Sequence, residues 1–279
     1  MSAACVWLIG GTSESVTLAH GLSAADVSFV VTVTTASARD LYLKAARVFV
    51  GALSASDMLV FVQKWQVRCI LDASHPFADA VSRQAIALTQ NQNADQDSCP
   101  AYIRPAYIRY ERSEVSASGL YANHAASQNP EDNVIYVDSL DDLIEFDILR
   151  HQRVLFTVGY RYLAGVAPLR QTSVLFARVL PSVEAISGAI AAGFSAKEIV
   201  AMRPPISAEL ESALWQQWKI TCVVAKASGV AGGERTKRAI AAQLGVTLVL
   251  VKRPQLTYPN QTDSVIAAVD FCSKTLSLY

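Results

Sequence analysis

The sequence predicts an α/β protein with two Rossmann-like lobes, each a doubly wound parallel sheet, that face a central cleft. Short β-branched segments alternate with helical segments along most of the chain, which is typical of parallel sheets covered by helices. A glycine-rich turn follows a predicted strand near each end of the chain, at residues 10–13 and at residues 229–233. The length of 279 residues suits two ordinary domains.

The first lobe is predicted from short apolar runs separated by helical segments. Its strands are expected at residues 6–9, 27–33, 48–50, 69–72 and 101–104. Its helices are expected from residue 15, over residues 54–65 and from residue 74 to about residue 90. Ser54 and Ser74 are the predicted N-caps of the last two helices, with Asp57 and Pro76 in their first turns.

The second lobe repeats this alternation. Its strands are expected at residues 154–157, 174–179, 198–202, 221–224 and 248–251, whereas a strand at residues 134–137 is expected to end the first lobe. Its helices are expected from residue 139, and over residues 182–192, 207–218, 238–244 and 263–276. We expect the domain break between residues 137 and 153, which gives an N-terminal domain of residues 1–138 and a C-terminal domain of residues 139–279.

Composition excludes several classes of protein. The 24 basic and 24 acidic residues balance, which argues against a general nucleic-acid binder. No apolar run reaches the length of a membrane span, and the first residues lack the features of a signal peptide, so we expect a cytoplasmic protein. The cysteines are too scattered for a disulfide framework or a metal site and are expected to be free, mostly buried thiols: Cys5, Cys69, Cys99, Cys222 and Cys272.

The first glycine turn, residues 10–13, is the candidate for a dinucleotide pyrophosphate, because such a turn presents backbone N–H groups and a helix N-terminus to an anion. Its residues are Gly10, Gly11, Thr12 and Ser13. They lack the full G-x-G-x-x-G pattern.

The end of the second predicted strand is expected to meet the adenosine ribose. Hydroxyl groups of Thr35 and Ser37, followed by Arg39, favour a 2′-phosphate and therefore NADPH, with NADH as the alternative. The competing interpretation is that Ser37 only caps a helix and Arg39 is solvated.

The second glycine turn, residues 229–233, follows a strand that ends in Lys226 and Ser228. Its glycines permit positive φ and close backbone approach. We assign this turn to substrate anions and the first turn to the cofactor, although the opposite assignment stays open.

Several short motifs occur in one order over about 250 residues. They are Ile-Gly-Gly-Thr-Ser-Glu (9–14), Thr-Thr-Ala-Ser-Ala-Arg (34–39), Leu-Asp-Ala-Ser-His-Pro-Phe-Ala (71–78), Ile-Arg-Tyr-Glu-Arg (108–112), Thr-Val-Gly (157–159), Phe-Ala-Arg-Val-Leu-Pro (176–181), Lys-Ala-Ser-Gly (226–229), Gly-Gly (232–233) and Arg-Pro (253–254). In these motifs the chain resembles the precorrin-6A reductases of cobalamin biosynthesis, including the cobalt-precorrin-6A branch. The resemblance implies two Rossmann-like lobes and hydride transfer from a reduced nicotinamide, usually NADPH, to a tetrapyrrole.

The implied chemistry assigns roles to further residues. Asp72 and His75, at a predicted strand end, are the candidates to relay a proton to the reduced macrocycle. The alternative is that Asp72 caps the next helix and that His75 is structural. A macrocycle with acetate and propionate groups would need cations and backbone N–H groups. The candidates to bind them are Arg104, Arg109, Arg178, Lys226, Ser228, Gly229, Gly232, Gly233 and Arg253.

One segment departs from the family pattern. Where the family usually has Gly-Pro-Phe, this chain has Arg203, Pro204 and Pro205. Two further interpretations therefore stand beside the reductase: another nucleotide-dependent enzyme of the same fold, for nucleotide-sugar or methyl transfer, and a non-catalytic dinucleotide sensor.

Overall fold

The computed structural model describes residues 4–42, 47–90, 104–112, 133–229 and 232–279. In chain order its strands are β1 (Cys5–Ile9), β2 (Phe29–Val33), β3 (Arg47–Val50), β4 (Val67–Asp72), β5 (Ala106–Tyr110), β6 (Val134–Val137), β7 (Arg153–Phe156), β8 (Val174–Val179), β9 (Ile199–Ala201), β10 (Cys222–Lys226), β11 (Thr247–Val251) and β12 (Gln261–Thr262). Its α-helices are α1 (Ser13–Ala24), α2 (Ala36–Arg39), α3 (Ala55–Lys64), α4 (Asp79–Gln90), α5 (Asp142–Glu145), α6 (Val183–Ala191), α7 (Ala208–Gln217), α8 (Glu234–Leu244) and α9 (Val265–Leu276).

The chain forms two compact units with boundaries that differ from the expected ones. The first unit consists of Met1–Ser113 and Pro254–Tyr279, and the second of Glu114–Arg253. The expected break at residues 138 and 139 was wrong on two counts. Strand β6 pairs with β11 in the second sheet, and the C-terminal segment returns to the first unit, where β12 pairs with β5.

The first unit is built on a six-stranded parallel sheet of order β12-β5-β4-β1-β2-β3. This is the strand order of a dinucleotide-binding fold, with its reversal between β1 and β4. The register aligns Ile9 of β1 with Asp72 of β4, so the two strands end level with each other. The segments that follow them therefore begin side by side.

The second unit repeats this order. Its parallel sheet runs β6-β11-β10-β7-β8-β9, with the reversal between β7 and β10. In each sheet, one outermost strand comes from a distant part of the chain. This strand is β12, beside β5, in the first sheet and β6, beside β11, in the second. These observations confirm the predicted α/β fold class with two doubly wound parallel sheets.

Both faces of the first sheet are covered by helices because alternate residues of each strand point to opposite sides. On one face, Val6 and Leu8 pack with residues of α1 and α9. On the other face, Trp7 and Ile9 pack with residues of α3 and α4. In the second unit, strands β10 and β11 bury residues against α7 and α8.

The described cysteines agree with the expectation for free thiols. Cys5, Cys69, Cys222 and Cys272 are free and buried, and Cys99 lies outside the described residues. Burial raises the pKa of the Cys222 thiol to about 12. Within the described ranges, no helix has the length and apolar character needed to cross a membrane.

One local prediction was wrong, and another falls largely outside the described residues. Helix α4 begins at Asp79 rather than near residue 74, because the amide of Ser74 donates to the Asp72 carboxylate and starts a turn instead. The strand after α4 covers Ala106–Tyr110, whereas the expected residues 101–103 lie outside the described part of the chain.

Candidate functional site

The topology marks one candidate ligand position in each unit. Doubly wound parallel sheets bind ligands at the carboxyl ends of the strands where the strand order reverses. In the first unit these are the ends of β1 and β4, and in the second unit the ends of β7 and β10. The first glycine turn follows β1, and the second follows β10. Both turns therefore lie at the positions that the sequence argument requires.

The first glycine turn is braced against the segment after β4. Thr12 caps α1 by accepting a hydrogen bond from the amide of Ser15 at 3.1 Å. Its hydroxyl donates to the carbonyl of Ala73 at 2.9 Å. Gly11 has a φ of +101°, which a side chain would strain. The amides of Ser13 and Glu14 lie in the first helical turn, where no helix carbonyl can accept from them.

Tyr42 completes this turn, and sequence reasoning missed it. The amide of Gly11 donates to the Tyr42 hydroxyl at 2.9 Å, so it is not the free N–H group that was expected. A Cβ atom at Gly10 would lie 2.1 Å from the same hydroxyl oxygen. Tyr42 follows α2 and is 31 residues from Gly11, so no local motif connects the two.

The end of β2 continues into the short helix α2. Thr35, rather than Ser37, is its N-cap and accepts from the amide of Ala38 at 3.2 Å. Ser37 and Arg39 are exposed, with Arg39 in the last residue of the helix. An exposed cation at the end of the second strand suits a 2′-phosphate, and this role stays a prediction.

Asp72 lies at the centre of a buried polar cluster. Its side chain is fully buried and forms a 3.0 Å ion pair with Arg109, which is 1% exposed. One carboxylate oxygen also accepts from the amide of Ser74, and the other accepts from the hydroxyls of Ser82 and Tyr107. The ion pair with Arg109 and these three further hydrogen bonds occupy both carboxylate oxygens, so the geometry argues against Asp72 as a proton donor.

Arg109 is the structural partner of Asp72 rather than an exposed anchor for a substrate. The two residues are aligned on neighbouring strands β5 and β4. Its Nε donates to Glu111 at 2.9 Å, and its Nη1 also donates to the Ser74 hydroxyl at 3.0 Å. Burial is the largest single influence on the pKa of Arg109, and it lowers this pKa. The neighbouring carboxylates of Asp72 and then Glu111 act in the opposite direction, and the net effect is a raised pKa. The expected substrate contact of Arg109 is therefore corrected.

Arg104 lies away from the site at which the sequence predicts it to bind the substrate. It is exposed and immediately precedes β5. In a parallel sheet this is the amino end of the strand, on the edge of the first sheet opposite to the first glycine turn. The structure therefore does not bring Arg104 to the candidate site.

His75 lies two residues beyond the Asp72 cluster and is half-buried. Its Nδ1 accepts a hydrogen bond from the amide of Phe77 at 3.2 Å. A neutral ring with Nδ1 as acceptor carries its proton on Nε2, so this histidine can present a proton. The role of His75 as a proton relay stays a prediction.

Lys226 ends β10 in an unusual environment. Its ammonium lies 4.1 Å from the centre of the Tyr162 ring. Burial, followed by the positive charge of Arg161, lowers the pKa of Lys226 to about 8. Tyr162 and Arg161 belong to the turn after β7, so two cations meet where the second sheet reverses its order. Such a pair favours an anionic ligand.

The second glycine turn needs its glycines for steric reasons. Gly229 and Gly233 have φ values of +75° and +72°, and a Cβ atom at Gly232 would lie 1.7 Å from the Ser228 hydroxyl oxygen. Ser228 itself is buried, at 7% exposure. Residues 230–231 lie outside the described part of the chain. The predicted positive φ is confirmed at Gly229 and Gly233, whereas Gly232 does not have a positive φ.

Charged side chains already occupy part of this turn. The amide of Gly229 donates to the carboxylate of Glu234 at 3.0 Å, so it is not free for a ligand. The Lys237 ammonium donates to the carbonyls of Gly232 and Gly233, at 3.2 and 3.4 Å. Burial, followed by the charge of Arg178, lowers the pKa of Lys237 to about 8, although Glu211 and Glu234 oppose this effect. Glu234 and Lys237 therefore hold the turn in place.

The remaining predicted anchors lie in or beside the second sheet. Arg178, on β8, forms a largely buried ion pair with Glu211 of α7, which accounts for its burial within an apolar strand. Arg253 donates through Nε to the carbonyl of Ala227 at 2.9 Å, so it supports the segment between Lys226 and Ser228. Arg203 is exposed just after β9, where the sequence departs from the family pattern.

Comparisons with known proteins show which sequences and which fold this chain resembles. Residues 5–273 match the family described as Precorrin-6x reductase CbiJ/CobK. A cobalt-precorrin-6A reductase of Synechocystis sp. is 40% identical over 281 residues, covering 99% of this chain and 98% of the relative. A cobalt-precorrin-6A reductase of Priestia megaterium is 29% identical, covering 91% and 92%. A solved structure, CobK precorrin-6A reductase, matches with a TM-score of 0.72 at 19% identity over 98% of this chain and 97% of its own.

Proposed function

Because this chain belongs to the precorrin-6x reductase family CbiJ/CobK, we propose that it reduces precorrin-6A or cobalt-precorrin-6A to the 6B form with NADPH. The observation that carries the proposal is the pair of glycine turns, each at the point where a doubly wound sheet reverses its strand order. When bound, the reduced nicotinamide supplies the hydride. The residues of the chain bind and orient the cofactor and the macrocycle, and they supply the proton that the reduced macrocycle takes up.

The first unit has the features that a dinucleotide requires. The amides of Ser13 and Glu14 at the start of α1 suit a pyrophosphate, because a helix N-terminus attracts anions, while the Ser13 hydroxyl donates to the Glu14 carboxylate at 2.9 Å. The positive φ of Gly11 disfavours any residue with a side chain, which keeps this approach open. The hydroxyls of Thr35 and Ser37 and the guanidinium of Arg39 suit the ribose and its 2′-phosphate.

The second unit would hold substrate carboxylates. Lys226 and Arg161 contribute positive charge at the carboxyl ends of β10 and β7. Arg178 and Arg253 support them indirectly, since Arg178 pairs with Glu211 and Arg253 binds the carbonyl of Ala227. In this proposal His75 presents the proton that the reduced macrocycle takes up, and Asp72 fixes the segment that carries it.

A turnover measurement tests the proposal. Under anaerobic conditions, purified protein should lower the NADPH absorbance only when precorrin-6A or cobalt-precorrin-6A is added. Running both substrates in parallel shows whether the metal in the macrocycle matters. Tight NADPH binding without turnover of either macrocycle would instead support the sensor interpretation.

Removing the guanidinium of Arg39 should change the choice of cofactor. Arg39→Ala is expected to raise the Kd for NADPH by about 10- to 100-fold, the value of a charge-assisted contact to phosphate, and to leave NADH unchanged. Cofactor fluorescence titration measures both constants. Arg83→Ala is the matched control, because Arg83 is an exposed arginine of the same unit that pairs with Asp79. Equal weakening of NADPH and NADH would remove the 2′-phosphate role.

The pKa of Lys226 predicts the pH dependence of substrate binding. A lysine with a pKa of about 8 is charged at neutral pH and loses its charge as the pH rises through that value. The KM for the tetrapyrrole should therefore rise roughly tenfold between about pH 7 and about pH 9.5. Lys226→Arg should keep the KM flat over this range, because arginine stays protonated. An unchanged inflection in Lys226→Arg would assign it to another group, with Lys237 the first to examine.

A further inference from the structure

We propose that Tyr42 is a positioning residue of the dinucleotide site, which couples the first glycine turn to the α2 segment that carries Ser37 and Arg39. The inference rests on the proposed placement of NADPH in the first unit. Tyr42 acts through hydrogen bonds to the turn and through its place in the chain shortly after α2.

The hydrogen bonds around Tyr42 have a defined direction. The hydroxyl of Ser15 has one proton, and its oxygen lies 2.6 Å from the carbonyl of Thr12, which can only accept. The 2.6 Å bond between Ser15 and Tyr42 must therefore use the proton of Tyr42. The Tyr42 oxygen is then left to accept from the amide of Gly11. These hydrogen bonds form a series that starts at the Gly11 amide, passes through the hydroxyls of Tyr42 and Ser15 and ends at the Thr12 carbonyl.

This series of hydrogen bonds determines which amides of the turn remain available to bind a phosphate. The amide of Gly11 is committed to Tyr42, and the amide of Thr12 is committed to the Ser15 hydroxyl at 3.0 Å. The amides at Ser13 and Glu14 remain for an anion. Ser15 is fully buried and Tyr42 is 8% exposed, so water does not readily replace these partners.

The same residue fixes the position of α2. The backbone amide of Tyr42 donates to the carbonyl of Arg39 at 3.1 Å, while its ring packs in the first core with Leu8 and Val31. The place of Arg39 relative to the glycine turn thus depends on how firmly Tyr42 is held. Loss of the hydroxyl should loosen both contacts to the cofactor, with the larger effect on the cofactor that uses Arg39.

Fluorescence titration of Tyr42→Phe with both cofactors tests this inference. The Kd for NADH should rise about tenfold, the effect of one lost hydrogen bond, and the Kd for NADPH should rise further. In the Arg39→Ala background the extra effect on NADPH should vanish, because it passes through Arg39. Tyr107→Phe, which removes another buried tyrosine hydroxyl of the same unit, should lower stability with the Kd values unchanged.

The outcomes separate this inference from the proposed function. If Gly11→Val weakens NADPH binding but Tyr42→Phe leaves both Kd values unchanged, Tyr42 is only structural and the inference is overturned. If Tyr42→Phe weakens both cofactors equally, the coupling to Arg39 is overturned. A wild-type protein that binds neither cofactor, or a Gly11→Val variant with unchanged affinity, overturns the proposed cofactor site and the inference with it.

Discussion

Replacing Asp72 by asparagine should lower the free energy of unfolding by about 3–5 kcal/mol, because it leaves the Arg109 cation buried without its charge partner. Both side chains are almost completely inaccessible, at 0% and 1% exposure, so water cannot compensate the loss. In the wild-type protein, the hydroxyls of Ser82 and Tyr107 donate to a carboxylate oxygen of Asp72. In the variant they would face the amide group of the asparagine instead. Urea unfolding followed by tryptophan fluorescence measures the change.

Two further variants make this measurement specific. Asp79→Asn removes the same charge from a surface ion pair, in which Asp79 is 38% exposed and Arg83 is 56% exposed. This change should lower the free energy of unfolding by less than about 1 kcal/mol. Combining Asp72→Asn with Arg109→Met removes both charges and should recover part of the lost stability. A stable Asp72→Asn protein with a collapsed kcat would contradict the structural role and return Asp72 to proton transfer.

The fold class was predictable because it depends on local patterns. Apolar runs of four to six residues alternate with helical segments, and this alternation specifies parallel sheets. Helix starts at Ser54, Ser182 and Ser207 were also recognised, since a serine N-cap is a local signal. The positions of both glycine turns followed from the same local order of strand, turn and helix.

The domain boundaries were not predictable in the same way. Strand β12 has only two residues, and neither its length nor its composition marks it as part of a sheet. Strand β6 looks like the next strand of the first lobe in sequence, but it pairs with β11. The position of an outermost strand depends on tertiary pairing, for which a single sequence contains no periodic signal.

The candidate site was predictable where function depends on backbone and less so where it depends on side-chain partners. Gly11, Gly229 and Gly233 were recognised from composition, and each has positive φ. The arginines were harder, because an arginine beside an apolar strand can either bind a ligand or pair with a distant carboxylate. Arg109 and Arg178 pair with Asp72 and Glu211, which are 37 and 33 residues away.

Gly232→Ala should disrupt the second glycine turn and lower the affinity for the tetrapyrrole by up to about 100-fold, since misplacement of a positioning segment by about 1 Å has effects of this size. The new Cβ would lie 1.7 Å from the hydroxyl oxygen and 2.4 Å from the Cβ of Ser228. Rotation of the serine hydroxyl relieves the first contact but not the second, because that carbon is fixed to the backbone. The turn must therefore move away from the end of β10.

A double-mutant cycle isolates this steric cause. Ser228→Gly removes both atoms that the new methyl group would meet, so Gly232→Ala combined with Ser228→Gly should recover stability that Gly232→Ala alone loses. Gly165→Ala is the matched control in the same unit, because its Cβ would have an ordinary contact at 3.5 Å. The KM for the macrocycle and the free energy of unfolding are measured for the four proteins of the cycle and for Gly165→Ala. If Gly232→Ala is as harmless as Gly165→Ala, the turn yields easily, and its fixed shape cannot be what orients the substrate carboxylates.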